Sequence, residues 1–201
     1  MSCIMINKMD KAKKGDIRII GGKWKGKKIY FDLRNDLRPT PDRAKETLFN
    51  WLGQDLSEMY CLDLFSGTGA LGLEAFSRGA KKVTFVEKNK EYLQKIKKVY
   101  LEMSTKKDCD FFCAECLDWV KNNNFNIKYD LIFIDPPFNK NLIHDLLISI
   151  LEKQLLSKKG RIYFEFEKKL DIKIPESLKL IKKKSLGRKS YVLVEVTCLS
   201  S

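Results

Sequence analysis

Two rhythms divide the chain. From residue 60 onward, short apolar runs alternate with stretches in which apolar residues recur at helical spacing. The runs at 61–65, 82–87, 110–113, 130–135 and 161–166 predict strands, and the stretches at 70–78, 90–103, 115–122 and 142–155 predict helices. Leu131-Ile132-Phe133-Ile134 shows no polar alternation, as a strand covered by helices on both faces requires. This alternation specifies an α/β fold with a doubly wound, mostly parallel sheet. The last stretch, 178–181 and 191–196 around Gly187, predicts an antiparallel hairpin closing one edge, which brings the strands to seven.

Before residue 60 the pattern differs. Residues 17–31 read as short strands punctuated by glycines, a small hairpin. Leu37-Arg38-Pro39-Thr40-Pro41-Asp42 reads as an extended stretch ending in a helix start, with Thr40 as N-cap and Pro41 at the first helical position. Ala44, Leu48, Trp51 and Leu52 then recur at i, i+4, i+7 and i+8, one apolar helical face. The expected organisation is a mobile basic N-terminus at 1–16, a hairpin-plus-helix extension at 17–57 and an α/β domain at 58–201.

Composition adds limits. At 201 residues and 44% hydrophobic, the chain has the length for one globular domain with a small appendage. No run approaches a membrane span, and no basic region is followed by an apolar leader, so a cytoplasmic protein is expected. The six cysteines are irregularly spaced and read as reduced thiols. The net charge is +13, but with 32 Lys to 7 Arg it carries a coding bias and by itself names no partner. Its distribution says more: residues 13–28 carry +6 and residues 168–189 carry +7, which together match the whole surplus. The first stretch reads as an RNA-facing element and the second as a solvated edge.

Candidate chemistry begins at Asp63-Leu64-Phe65-Ser66-Gly67-Thr68-Gly69-Ala70-Leu71-Gly72, where a strand turns into a helix. Gly67 and Gly69 can adopt positive φ and admit a ligand close to the backbone, and the helix N-terminus offers free N–H groups. Gly67-x-Gly69-x-x-Gly72 also matches the dinucleotide fingerprint, and Glu87 stands 20 residues after Gly67, where a ribose-binding acid belongs. NAD and S-adenosylmethionine (SAM) both satisfy these features. Asp63 inside the strand end suits a ligand with a cationic amino-acid portion better than a pyrophosphate. The chain also shows no second substrate domain and a single histidine, His144, where a dehydrogenase needs its acid. SAM is the cofactor expected.

A further strand ends in Asp135-Pro136-Pro137-Phe138. Ligands of open parallel sheets bind beyond the carboxyl ends of the strands, which places this tetrapeptide beside the glycine loop. Its residue types suit methylation of an exocyclic amino group, whose lone pair is delocalised into a base ring. The Asp135 carboxylate and the Pro136 carbonyl can accept both N–H bonds and turn the lone pair toward a sulfonium methyl. Pro137 removes a competing donor, and Phe138 offers a flat face for an unstacked base. The competing reading is a loop in which Asp135 caps the next helix.

With these residues in view, the chain resembles the bacterial small-subunit rRNA methyltransferase D family. The resemblance runs from Ile17 to the C-terminus. It is carried by Arg18-Ile19-Ile20-Gly21-Gly22-Lys23-Trp24-Lys25-Gly26-Lys27-Lys28, Leu37-Arg38-Pro39-Thr40-Pro41-Asp42-Arg43, Glu46-Thr47-Leu48-Phe49-Asn50-Trp51-Leu52, the glycine loop through Ala75, and Asp135-Pro136-Pro137-Phe138. It implies a class I SAM-dependent methyltransferase sheet and methylation of guanine N2 in 16S rRNA, in a monomer acting on an assembling small subunit. It also implies that Asp63, Phe65, Gly67 and Gly69 line the methionine side of SAM, that Glu87 holds the ribose and that Asp135, Pro136, Pro137 and Phe138 hold the guanine. Glu115 stands where such enzymes often carry an Asp near the adenine. Arg18, Lys23, Lys25, Lys27, Lys28, Arg38, Thr40 and Arg43 are the expected RNA contacts. The alternatives are methylation of adenine N6 or a protein glutamine, and a non-catalytic RNA-binding assembly factor.

Three features compete. Cys109-x-x-x-Cys113-x-x-Cys116 reproduces the spacing of a radical-SAM iron–sulfur site, but Phe111 and Phe112 between them predict a buried strand with the cysteines as core residues. Zinc lacks a fourth ligand, since His144 belongs to another element and reads as a helix-surface residue, so no metal is expected. Trp24 among lysines reads either as an RNA-stacking ring or as hairpin core.

Overall fold

The computed structural model describes residues 14–32, 41–136 and 140–197. Residues 1–13, for which mobility is expected, lie outside them, as do Arg38, Thr40, Pro137 and Phe138. In chain order the elements are β1 (Lys14–Arg18), β2 (Lys28–Asp32), α1 (Asp42–Leu52), β3 (Tyr60–Asp63), α2 (Ala70–Ser77), β4 (Lys82–Glu87), α3 (Lys90–Met103), β5 (Cys109–Cys113), α4 (Cys116–Asn122), β6 (Tyr129–Ile134), α5 (Lys140–Glu152), β7 (Leu156–Glu167), β8 (Leu178–Leu186) and β9 (Lys189–Val196). Among the described residues no helix is long and apolar enough to cross a membrane.

The expected seven-stranded sheet forms in the order β5-β4-β3-β6-β7-β9-β8. Strands β5 through β7 are mutually parallel, and β9 and β8 continue antiparallel. The chain leaves β3 toward β4 on one side and returns through β6 on the other. That reversal opens a crevice at the carboxyl ends of β3 and β6, the usual place for a ligand in such a sheet.

Alternate residues feed two cores. Leu131 and Phe133 of β6 join one cluster, and Ile132 and Ile134 join the other. In β9, Tyr191 and Leu193 face the first side, and Val192 and Val194 the second. Helices α1, α2 and α3 supply the first cluster and α4 and α5 the second, so β6 is buried on both faces as its unbroken apolar run requires.

The β1–β2 hairpin shares the first core through Ile17, Ile19, Ile29 and Phe31. Strand β1 begins at Lys14, ahead of the first apolar residue, because backbone pairing with β2 extends through Lys14↔Asp32. Helix α1 begins at Asp42, one residue beyond the expected start. Pro41 is the N-cap with ψ 146°, and its carbonyl accepts the Ala44 and Lys45 amides. Its buried face is centred on Ala44, Lys45, Leu48 and Phe49, with Trp51 and Leu52 at the margin. Strand β8 continues past residue 181 through three exposed lysines, since an edge strand needs its ladder to β9 rather than apolar side chains.

The buried-strand expectation for β5 is corrected by the same logic. As the other sheet edge, it leaves Phe112 and Cys113 exposed. Cys116 is buried and Cys109 partly so, but Cys113 is not a core residue. Cys109 and Cys113 sit at opposite ends of β5, which a rise of about 3.3 Å per residue separates by roughly 13 Å. Thiolates spread this way do not converge on one cluster.

Candidate active site

Local chemistry shapes the glycine loop. Gly67 and Gly69 have φ of 49° and 79°, and Gly69 caps α2 in the left-handed region. The buried Ser66 pins the loop, its hydroxyl donating to Asp63 O at 2.9 Å or Val86 O at 3.2 Å. At Gly72 a Cβ would collide with the Phe85 ring, so the third glycine serves close helix–sheet packing.

Two sequence-predicted acids are tied to this loop by backbone amides. Asp63 ends β3, is buried and accepts the Gly72 N–H at 2.9 Å, joining strand end to helix start. Glu87 ends β4 and accepts the Gly67 N–H at 2.8 Å through Oε2 and the Asn89 N–H at 2.8 Å through Oε1. Phe65, half-buried, packs against the second core.

Asp135 follows β6 directly across the crevice, one strand from Asp63. Its charge reaches Asp63: burial pushes the Asp63 carboxyl up to about 7 against the Gly72 N–H, with the Asp135 and Glu87 charges adding to the rise. Two carboxylates thus bond the loop, and Asp135, paired with Lys189, lies near enough to raise Asp63. A pyrophosphate would meet the negative charge of Asp63 and Glu87, whereas a cationic ligand relieves it; the residues fit a sulfonium and an ammonium.

Behind Asp135 lies a network that local sequence reading misses. The Lys189 ammonium is 3.1 Å from Asp135 Oδ1 and 2.8 Å from Glu165 Oε2. Tyr163 donates its hydroxyl to Glu165 Oε1 at 2.9 Å. Burial, then the Asp135 charge, pushes Glu165 up to about 7 against the opposing pull of Lys189. Burial alone would depress Lys189, but the two carboxylates outweigh it and hold the ammonium well above its usual range. One signal was available: Glu165 interrupts the apolar run from Ile162 to Phe166 within β7.

The remaining sequence-predicted residues disperse. Glu115 is exposed and lies 3.4 Å from Lys88, with no side-chain cap on α4. His144 is a helix-surface residue, 3.8 Å from Asp145. Lys23, Lys25, Lys28, Arg18 and Arg43 are exposed around the hairpin and the start of α1. Lys28 pairs with Asp16, Arg18 with Asp42, and the half-buried Lys27 with Glu102. Trp24 is committed to packing, stacked on Phe76 of α2 at 5.0 Å, with Lys23 Nζ over its ring.

The hairpin is anchored to the helix that follows the glycine loop. Glu74 Oε2 accepts the Ile20 N–H at 2.8 Å while Oε1 accepts the Arg78 Nε–H at 2.9 Å, both side chains being buried. Ser77 donates its hydroxyl to Gly21 O at 2.6 Å and accepts the Trp24 N–H at 3.0 Å. Arg78 also donates to Gln54 and lies over the Phe49 ring. Buried Lys45 donates to the Arg18 carbonyl and pairs with Asp42 at 3.0 Å, tying α1 to β1.

Comparison with known proteins agrees with this arrangement. Residues 17–195 match the family described as Conserved hypothetical protein 95. The chain is 39% identical over 183 residues to the ribosomal RNA small subunit methyltransferase D of Haemophilus influenzae, covering 90% of this chain and 95% of that one. It is 33% identical over 184 residues to the protein of the same name from Escherichia coli K12, covering 90% of each. The solved structure of yhhF from Escherichia coli superposes with a TM-score of 0.80 at 32% identity, over 90% of this chain and 98% of that one. The solved structure of SMU.776, described as complexed with SAH, shares the fold, with a TM-score of 0.66 at 18% identity over 84% of this chain and 53% of that one. The chain therefore belongs to the ribosomal RNA small subunit methyltransferase D family.

Proposed function

We propose that the chain transfers a methyl group from SAM to the exocyclic N2 of a guanine in 16S rRNA, acting as a single chain on an assembling small ribosomal subunit in the cytoplasm. The observation that carries this reading is a positive-φ glycine loop at the sheet's reversal point, bonded by Asp63 and Glu87, with Asp135 near enough to raise Asp63. When bound, SAM supplies an activated sulfonium methyl. Asp63, Phe65, Gly67 and Gly69 hold its methionine portion, Glu87 its ribose and Glu115 the adenine side. Asp135 and the Pro136 carbonyl accept the N–H bonds of the guanine amino group, and Pro137 and Phe138 complete the base site. Positioning then supplies much of the acceleration. The test is to incubate the protein with labelled SAM and unmodified small subunits and to map the methylated base by mass spectrometry. Label on guanine N2 supports the reading, and label on adenine or protein overturns it.

Asp63 makes cofactor binding pH-dependent. Burial raises its carboxyl to about 7, and a neighbouring ligand cation favours the ionised form. Below that midpoint, binding must expel a proton, so SAM affinity should weaken by about thirtyfold between pH 8 and pH 5.5 and level off above neutrality. Calorimetry in buffers of different ionisation enthalpy should show proton release at pH 6. A pH-independent affinity would remove Asp63 from the cation's surroundings.

In the same reading, the extension at 17–57 is an RNA-binding element that uses Arg18, Lys23, Lys25, Lys27, Lys28, Arg38, Thr40 and Arg43, and the α/β domain at 58–201 performs the transfer. Reversing the charge of exposed Lys23 and Lys25 together should weaken RNA binding by roughly tenfold at 0.1 M salt and reduce the salt slope by about two. Binding titrations over a salt series measure both, and an unchanged slope takes the hairpin loop out of the interface.

A further inference from the structure

We propose that Lys189 is the positioning residue of the transfer site: its ammonium, bridging Asp135 and Glu165, holds the Asp135 carboxylate in the orientation that meets the substrate amino group. This rests on the function proposed above.

Sheet order explains how a residue so distant in sequence reaches the site. Strand β9 runs antiparallel to β7 and pairs Lys189 with Glu167, so β9 starts at the end of the sheet where β3, β4 and β6 present their acids. Glu165 lies on β7, between β9 and β6. From β9 the lysine stem spans β7, donating at 2.8 Å to Glu165 and at 3.1 Å to Asp135. Glu165 is fully buried and held from its other oxygen by Tyr163, so it is a fixed anchor. Asp135, which follows β6, is the partly exposed partner.

The ammonium does two things. By donating to Oδ1 it selects one rotamer of Asp135 and directs Oδ2 elsewhere. It also separates two carboxylates that each lie within about one hydrogen-bond length of the same nitrogen. Without it, the pair shares a proton, and the protonated member becomes a donor competing with the substrate amine. The charged and titratable groups around Lys189 are Asp135 after β6, Glu165 and Tyr163 on β7 and Tyr191 on β9, with Asp63 on β3 coupled through Asp135.

The experiment compares the wild type with Lys189→Met, Lys189→Arg and Glu165→Gln in the full chain. Carboxyl NMR titration without substrate should show Glu165 in Lys189→Met taking up its proton at a pH at least one unit higher, because the opposing pull of Lys189 is gone. This readout is independent of the methyl acceptor, so it stands if the proposed substrate is wrong. With RNA and SAM, Lys189→Met should lower kcat about tenfold, move the acid limb of the pH profile upward and leave SAM affinity within twofold; Lys189→Arg should restore most of the rate. Should Lys189→Met fail to fold, Glu165→Gln is decisive: with the charge of its anchor gone the ammonium holds Asp135 less firmly, and kcat should fall severalfold with SAM affinity within twofold. An unmoved Glu165 midpoint in folded Lys189→Met overturns the proposal, as does an unchanged kcat, with an active wild type, in Lys189→Met or, where that does not fold, in Glu165→Gln. An inactive wild type overturns the proposed substrate alone.

Discussion

Asp135→Ala is expected to lower methyl transfer to unmodified small subunits by about 10²- to 10³-fold, the effect of removing one preorganised group from a transfer site. SAM affinity should stay within about twofold of the wild type, because the Asp63 and Glu87 contacts to the loop are made by other strands. A small change in the opposite direction is also expected. Asp135 contributes to raising the Asp63 carboxyl, so its removal lets Asp63 ionise at lower pH and strengthens cofactor binding below neutrality. The loss does not come from unfolding, since Lys189 keeps its contact with Glu165. Single-turnover kinetics and calorimetry on one preparation separate rate from affinity. A variant with wild-type kcat would exclude the carboxylate from the chemistry.

Glu74→Ala is expected to destabilise the protein by about 3–5 kcal/mol, the cost of leaving a buried charge without its partner. Arg78 would keep only Gln54 and the Phe49 ring, and the Ile20 amide would lose its acceptor. For a chain of this size that is a fall in Tm of roughly 10 °C. The hairpin loop should loosen first, because Ile20, Gly21, Lys23 and Trp24 are bonded to Glu74 and Ser77 on one helix. Amide exchange in residues 19–27 measures this, together with a drop in RNA affinity. The double variant Glu74→Leu with Arg78→Met removes both charges and should lie closer to the wild type than Glu74→Ala. If the double variant is the less stable of the two, the ion pair itself supports the hairpin.

Much of the fold was legible because local rules wrote it. The unbroken apolar run of β6, the helical spacing of α3 and the glycines at the end of β3 each state their own conformation. The acids Asp63, Glu87 and Asp135 were legible for a related reason: each closes a strand, and strand ends of a parallel sheet share one rim. Edge positions were harder to read. Phe112 looks like a core residue until β5 is known to have a neighbour on only one side, and Lys182 to Lys184 do not look like a strand until β9 supplies the ladder.

Sequence alone therefore determined the alternation of strands and helices, the conformation of the glycine loop and the identity of the acids around it, since each depends on residues close together in the chain. Tertiary structure decided which distant charges meet. Glu165 and Lys189 resemble surface residues by type, yet they meet through strand order; Lys45, Glu74 and Arg78 pair locally, at i,i+3 and i,i+4, and are buried because docking adds the Arg18 carbonyl, the Ile20 amide and Gln54. The physical reason is that a charge is buried only where a counter-charge and hydrogen bonds compensate its lost hydration. That compensation depends on distances across the sheet, which spacing along the chain does not encode.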